Sequence, residues 1–345
     1  MSIFETFQTL AASHPKRQPG SSDAQAVFDL IKAETAAWEF KAESKMVPVF
    51  HLSVSIMIYI VISLLAIGLS FLHPLGGFII EALLFVLFVT ELVHPVLAKI
   101  IPGKAENLLL TIPAHSKETQ RLIITTSVVT DHFNARPFHL LNRVYLSLIY
   151  GLGFMVLLLM AGNMWLKMPL LLYFAILAIL IIIILKLLAK DLNYAAGLAN
   201  CAILLELGSI MLKARPNTVS VSLYFSGANS LNSGVLEVAK LLKQGPELSY
   251  VVNLVDYADK RINVVTTDGL ILPQQSDPLL VEMLMEVAKE KAIPLQTIKF
   301  SEVSPAYALK LKKMKAISLT NSSEAPSVDK NIRELLSGLI RKMEH

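Results

Sequence analysis

Glu91 and His94 stand three residues apart inside a long apolar run. That spacing would set a carboxylate and an imidazole on one helix face, close enough to share a proton or a metal ion. A single Glu-x-x-His is half of a carboxylate-bridged metal motif, and no second copy occurs. Glu81 lies in the same run near its turn, where reaching headgroup water is a further reading. A charge at bilayer depth costs about 2.5–3.5 kcal/mol on insertion scales. Glu81, Glu91 and His94 are therefore expected to hydrogen-bond between helices, with a proton or solute path as the sharper alternative. Outside the apolar runs, Asp131 and His132 are adjacent and Asp256 closes a β-rich run, residue types that can ligate zinc or move a proton. His115, His132 and His139 have no i, i+4 histidine partner, so they do not form a helical zinc pair. Cys201, the single cysteine, lies on an apolar helical pattern and reads as packing, not as a nucleophile. Lys310, Lys312, Lys313 and Lys315 form the densest basic cluster. They read as a solvated helix end, or as a contact for anionic headgroups or an acidic partner.

These residues are carried by a chain of 345 residues that is 54% hydrophobic and 17% charged, too apolar for an ordinary soluble protein. Disorder is excluded by that apolar content, and a disulfide-stapled fold by the single cysteine. A net charge of +4 without an Arg-rich or aromatic-basic stripe gives no sign of nucleic-acid binding. Four stretches are long enough to cross a hydrocarbon core: Met46 to Leu72, Leu75 to Ile101, Val144 to Trp165 and Met168 to Leu188. The turn at His73–Gly77 joins the first two, and Asn163–Lys167 joins the last two, giving two hairpins. The polar first 45 residues are not expected to act as a cleavable signal peptide. Residues 1–45, 102–143 and 189–345 then form one soluble domain in three segments, with hairpins at 46–101 and 144–188. Lys41, Lys45, Lys99, Lys104, Arg136, Arg143, Lys186 and Lys190 flank the spans on the domain side, against Lys167 alone in the turns. The positive-inside rule makes the domain and both termini cytoplasmic.

Within the soluble segments, β-rich runs at Asn107–Ile112, Arg121–Ser127, Thr218–Phe225, Tyr250–Val255, Ile262–Thr267 and Ala316–Thr320 alternate with helical patterns. The helical patterns are Asp23–Glu39, Tyr194–Lys213, Leu231–Lys243, Pro278–Lys291 and Asp329–Met343. Such alternation predicts an α/β fold with a mixed, mostly parallel sheet, flanked by helices on both faces, plus four transmembrane helices.

The order of these elements resembles the di-zinc aminopeptidases of metallopeptidase family 28, relatives of glutamate carboxypeptidase. His14–Ser21 is similar to the family's early Pro-Arg-x-x-Gly-Ser segment. Asn107–Pro113 with Arg121–Thr125 is similar to the strand pair before the first metal ligand, and Ala199–Leu207 to the helix after the bridging aspartate. Val264–Leu270 and Lys315–Thr320 are similar to late strands of the fold. The resemblance covers nearly all of the soluble sequence and makes both hairpins insertions. It implies two zinc ions held by histidines and carboxylates, with a glutamate as general base.

Carried over residue by residue, the resemblance meets other side chains. The first His-x-Asp motif falls on Ser127 and Val129, and the bridging aspartate on Ala196. The Glu-Glu pair falls on Asn229 and Ser230, the next ligand on Val255 and the last histidine on Ala306. Valine and alanine cannot bind zinc in any protonation state. The expected reading is a catalytically inactive, membrane-integrated pseudopeptidase without a cofactor, whose partners are the lipid bilayer and a protein or peptide-like ligand. One alternative is an active zinc aminopeptidase with ligands relocated to Asp131, His132 and Asp256. Another is a small-solute transporter subunit built on the spans. The sequence leaves the oligomeric state open.

Overall fold

The protein is described from a computed structural model, which describes residues 2–15, 17–91, 95–129, 136–188, 198–228, 233–256, 261–269, 273–300, 304, 306–321 and 326–344. In chain order the elements are α1 (Ile3–Ser13), α2 (Ser22–Thr35), β1 (Glu43–Val49), α3 (Leu52–Leu72), α4 (Pro74–Thr90), β2 (Gly103–Ile112), β3 (Gln120–Ser127), α5 (Arg136–Leu166), α6 (Leu170–Leu188) and α7 (Ala199–Lys213). They continue as β4 (Val219–Ser226), α8 (Ser233–Lys243), β5 (Leu248–Asp256), β6 (Ile262–Asp268), β7 (Gln274–Gln275), α9 (Pro278–Glu290), β8 (Leu295–Phe300), α10 (Tyr307–Leu311), β9 (Ala316–Asn321) and α11 (Pro326–Met343). The chain divides into two compact units: Met1–Val49 with Lys104–Ala135 and Tyr194–His345, and Phe50–Gly103 with Arg136–Asn193.

The first unit is built on a sheet ordered β1-β2-β4-β3-β5-β9-β6-β7, with β8 beside β6. Period-2 alternation gives it two unlike faces. Leu122 and Ile124, Leu223 and Phe225, Val252 and Leu254, Ile317 and Leu319 pack into a large apolar core with α2, α7, α9 and α11. The next residues along each strand, Ile123, Tyr224, Val251 and Ala316, meet α8 and α10 in a smaller core. Local chemistry starts the helices. Ser2 and Glu5 form a reciprocal capping box on α1, Ser21 caps α2, and Asp277 caps α9 ahead of Pro278.

Two expectations are corrected here. The sheet is mixed, not mostly parallel: β3/β4, β3/β5, β5/β9 and β6/β8 are parallel, whereas β2/β4, β6/β7 and β6/β9 are antiparallel. The link Pro113–Thr119 between β2 and β3 is too short for a crossover helix, as is the link between Asp256 and Ile262. Each of these links therefore reverses the chain. The second correction concerns the spans. Met46–Val49 is strand and not helix, since Pro48 disfavours helix at the residue before it, and Val47 and Val49 pack with Ala105 and Ala228.

In the second unit three helices are long and apolar enough to cross a membrane, Leu52–Leu72, Ser147–Leu166 and Leu170–Leu188. The expected fourth, α4, has 17 residues and ends at Thr90, short of Ile101. Its start is set by Pro74 at the first helical position and by His73 Nδ1, which accepts from the Gly76 N–H at 2.9 Å. At its end Glu91 accepts the backbone N–H groups of Val96, Leu97 and Ala98.

Candidate functional site

A topological switch point lies where β3 sits between β4 and β5. The chain leaves β3, returns on one side as β4 by way of α7, then crosses by way of α8 to the other side as β5. Crevices at such points, beyond the carboxyl ends of the strands, are where open α/β sheets bind ligands. Here the β3/β4 ladder runs to Ser127 opposite Ser226, but the β3/β5 ladder stops at Thr125 opposite Asn253. β5 continues with β9 as far as Asp256 opposite Asn321. β3 and β5 thus part just below Ser127 and Val255.

The rim is held by a buried network. Arg17, fully buried, donates through Nε to the Val128 carbonyl at 3.0 Å and through its guanidinium to the His14 carbonyl at 2.6 Å. This pins the segment before α2 to the end of β3. Asn107 donates to the Tyr224 hydroxyl at 2.6 Å and accepts from the Gly227 N–H at 2.9 Å. Gly227 has no room for a side chain, because a Cβ there would lie 2.4 Å from the Glu106 carbonyl oxygen. Burial alone would raise the Glu106 carboxyl. Hydrogen bonds from Lys32, Ser44 and Gln25 outweigh it and hold the group below the usual glutamate range. Glu237 behaves likewise, its burial outweighed by Lys45 and Lys240. Burial pushes the Tyr224 phenol up, and the Glu237 charge adds to it.

A polar row crosses the same face. Tyr224, Thr125, Asn253 and Ser318 are successive register partners on β4, β3, β5 and β9. Thr125 donates to Asn253 Oδ1 at 2.6 Å, leaving the buried Asn253 Nδ2 without a protein partner. Ser318 donates to Ser304 at 2.9 Å, and Ser304 donates to Asp268. Lys310 Nζ closes the row 3.0 Å from Asp268 Oδ1, with both side chains at most 2% exposed. Burial pushes the Asp268 carboxyl up and the Lys310 ammonium down, and their mutual attraction opposes both shifts. Lys310 therefore leaves the basic cluster expected at a solvated helix end, whereas Lys312 and Lys313 stay exposed. A shallow cavity of about 320 Å³ on the opposite, helical face has a Glu206–Arg333 ion pair on its wall.

Of the positions where the resemblance implied metal ligands, Ser127 ends β3 and its Oγ donates to the Val129 carbonyl at 3.0 Å. Val129 and Val255 are 3% and 4% exposed, and Ala306, fully buried, precedes α10. Ala196, Asn229, Ser230, Asp131, His132 and His94 lie outside the described residues, while Asp256 ends β5. Among the described residues no three or more of His, Cys, Asp and Glu come together in a way that could hold a metal ion. Two valines, an alanine and a serine already engaged with a carbonyl do not fit zinc. Cys201 is buried in the apolar core, with Sγ 4.0 Å from the Ser127 carbonyl oxygen.

In the helical unit, Glu81 is fully buried and accepts from Tyr59 at 2.7 Å and Ser63 at 3.2 Å. Glu91 accepts from Ser55 at 2.6 Å as well as from the turn N–H groups. The expected pairing of Glu91 with His94 falls on a residue outside those described. Arg17, Asn107 and the Asp268–Lys310 pair carry no spacing signal and were not anticipated as organising residues. Only Asp268-Gly269, with Gly269 at φ +99°, marks its strand end in the sequence.

No family model and no curated protein matches the chain. Solved structures do. The chain is similar to a glutaminyl cyclase from an Acidobacteriales bacterium, at 13% identity and TM-score 0.54, over 99% of this chain and 94% of that one. It is similar to a leucine aminopeptidase precursor from Bacteroides thetaiotaomicron, at 9% identity and TM-score 0.54, over 98% and 95%. It is also similar to a zinc aminopeptidase from Bacillus subtilis, at 8% identity and TM-score 0.52, over 99% and 94%. At these identities the likeness is one of fold: an aminopeptidase-like α/β fold, shared with glutaminyl cyclases.

Proposed function

We propose that this aminopeptidase-like protein is a membrane-integrated pseudopeptidase, which binds a protein partner or a peptide-like ligand at the carboxyl-end crevice without hydrolysing it. The observation that carries the reading is the makeup of the crevice. Val129, Val255 and Ala306 are buried apolar side chains at ligand positions implied by the resemblance, and the Ser127 hydroxyl is turned to a backbone carbonyl. Neutral side chains at these strand ends leave no fixed charge there to disfavour a neutral segment. They cannot offset two adjacent dications or activate a water.

The proposal includes a four-pass topology with the soluble unit and both termini in the cytoplasm. Connectivity supports it. β1 and β2 are neighbours in one sheet yet flank α3 and α4, and β3 and β4 are neighbours yet flank α5 and α6. If α3 crosses the bilayer, the chain must cross back before β2, and α4 is the element available. Seventeen residues span about 25 Å, slightly less than a typical core, and a locally thinned bilayer accommodates the difference.

The test is metal content. The full chain, purified in detergent and dialysed against trace zinc, is expected to hold close to no zinc per chain by mass spectrometry. One or two zinc ions per chain would overturn the pseudopeptidase reading. It would redirect attention to Asp131, His132 and Asp256.

A further inference from the structure

The helical unit carries polar groups where apolar ones would pack as well. Ser55, Tyr59, Ser63 and Ser70 recur along one face of α3, and all four are buried. From Ser55 to Ser70 this seam rises roughly 22 Å. Ser55 meets Glu91, Tyr59 and Ser63 meet Glu81, and Ser70 stands where a side chain on Gly77 would fall, 2.0 Å from the position of its Cβ. Phe88 stacks between Tyr59 and Tyr150, at centroid distances of 4.4 and 4.7 Å, and closes the seam from α4 and α5.

Three atoms of the seam are buried without a protein partner: Glu81 Oε2, Ser70 Oγ and the Tyr150 hydroxyl. Among the described residues no Lys, Arg or His lies within ion-pair distance of Glu81. A bare carboxylate with one orphaned oxygen is too costly in an apolar bundle to stand alone, so a cation must neutralise it. The surrounding oxygens can adapt to one. The Tyr59 hydroxyl lies 3.3 Å from the Gly153 carbonyl, so it can turn its proton there and leave its lone pairs facing Glu81.

We propose that Glu81, with the hydroxyls of Tyr59 and Ser63, forms a binding site for a small monovalent cation, a proton or a sodium ion, inside the helical unit. Ser70 is the next polar group along α3 toward the His73–Gly76 turn. The site is independent of the crevice and of any peptide chemistry.

Dicyclohexylcarbodiimide, an apolar reagent, reports on such a site. A protonated carboxyl adds across one C=N bond, its proton passing to nitrogen and its oxygen to carbon. Migration of the acyl group from oxygen to nitrogen then leaves a stable N-acylurea. The full chain in detergent is treated over a range of pH, in sodium chloride or choline chloride, and the adduct is located by peptide mass spectrometry. The expected result is an adduct on Glu81, absent in Glu81→Gln and unchanged in Glu91→Gln. If the cation is a proton, the labelling rate falls roughly tenfold per pH unit once the carboxyl titrates, without regard to sodium. If it is sodium, sodium chloride slows labelling at fixed pH and choline chloride does not. No adduct on Glu81 at any pH, or one indifferent to both pH and sodium, overturns the proposal. The wild-type result alone decides this, whether or not Glu81→Gln folds.

Discussion

At the scale of the residue, the sheet-bearing unit depends on charges that are buried and answered. Asp268 and Lys310 face each other at 3.0 Å with almost no exposure, and Ser304 fills a further acceptor site on Asp268. Removing one member strands the other. Lys310→Met is expected to lower the unfolding free energy by about 3–5 kcal/mol. Asp268→Asn combined with Lys310→Met should recover a large part of that loss, as read by denaturant titration. Equal losses in the single and double variants would show that Lys310 acts through its packing alone. Glu106 gives the pH dependence. Its carboxyl sits lower in the folded protein than its ordinary value of 4.5, so the unfolded chain takes up its proton first as pH falls. The stability that Glu106 contributes is complete above that value and is lost as pH drops through the folded one. Glu106→Gln should therefore flatten the acid limb of a plot of thermal midpoint against pH. An unchanged limb would assign acid sensitivity to other carboxylates.

At the scale of the element, much of the fold was legible in the sequence, for a physical reason. Strands β3, β4, β5, β6 and β9 and helices α2, α7, α8, α9 and α11 fall on the expected runs, because each packs against one of the two apolar cores of the sheet and carries enough apolar residues to show it. Missed were β8 and α1, the latter with Phe7 turned to the core; the other elements that escaped carry no such signal. β7 has two residues, α10 has five, and β1 lies at the sheet edge with Pro48 in it, continuous in hydropathy with the helix that follows. Strand direction also escaped: the helix-free links 113–119 and 257–261 can be read in the sequence, but which sheet neighbours the reversed strands take cannot. The site was legible in the same uneven way. Ser127 and Val255 could be placed at strand ends by counting along runs. The network of Arg17, Asn107 and Gly227 joins residues about 110–120 apart in sequence, and only the folded chain brings them together. Gly227 makes the dependence testable. Gly227→Ala would press a methyl carbon onto the Glu106 backbone, and the strand ends must shift to admit it, at about 1–3 kcal/mol. A thermal midpoint equal to wild type would mean that the end of β4 is looser than the Asn107–Gly227 hydrogen bond implies.

At the scale of the whole molecule, the sheet is uninterrupted in space though the chain leaves it twice for apolar helices. Both departures occur between strands that are sheet neighbours, so each excursion must begin and end on the same side of any membrane it enters. On the proposed four-pass topology, the turns His73–Gly76 and Lys167–Pro169 would lie across the membrane from the sheet. The proposed cytoplasmic side rests on the basic residues, since Lys167 is the one charge in the two turns. The chain offers a clean test, because Cys201 is its single cysteine and is buried. In a Cys201→Ala background, Lys167→Cys is expected to react with a membrane-impermeant maleimide on intact cells. Ser116→Cys, exposed in the turn between β2 and β3, should react only after the membrane is opened. Reaction of both from outside would deny the hairpin topology. The reverse pattern would keep the hairpins and turn the soluble unit outward, so the partner of the neutral crevice would have to be sought outside the cell.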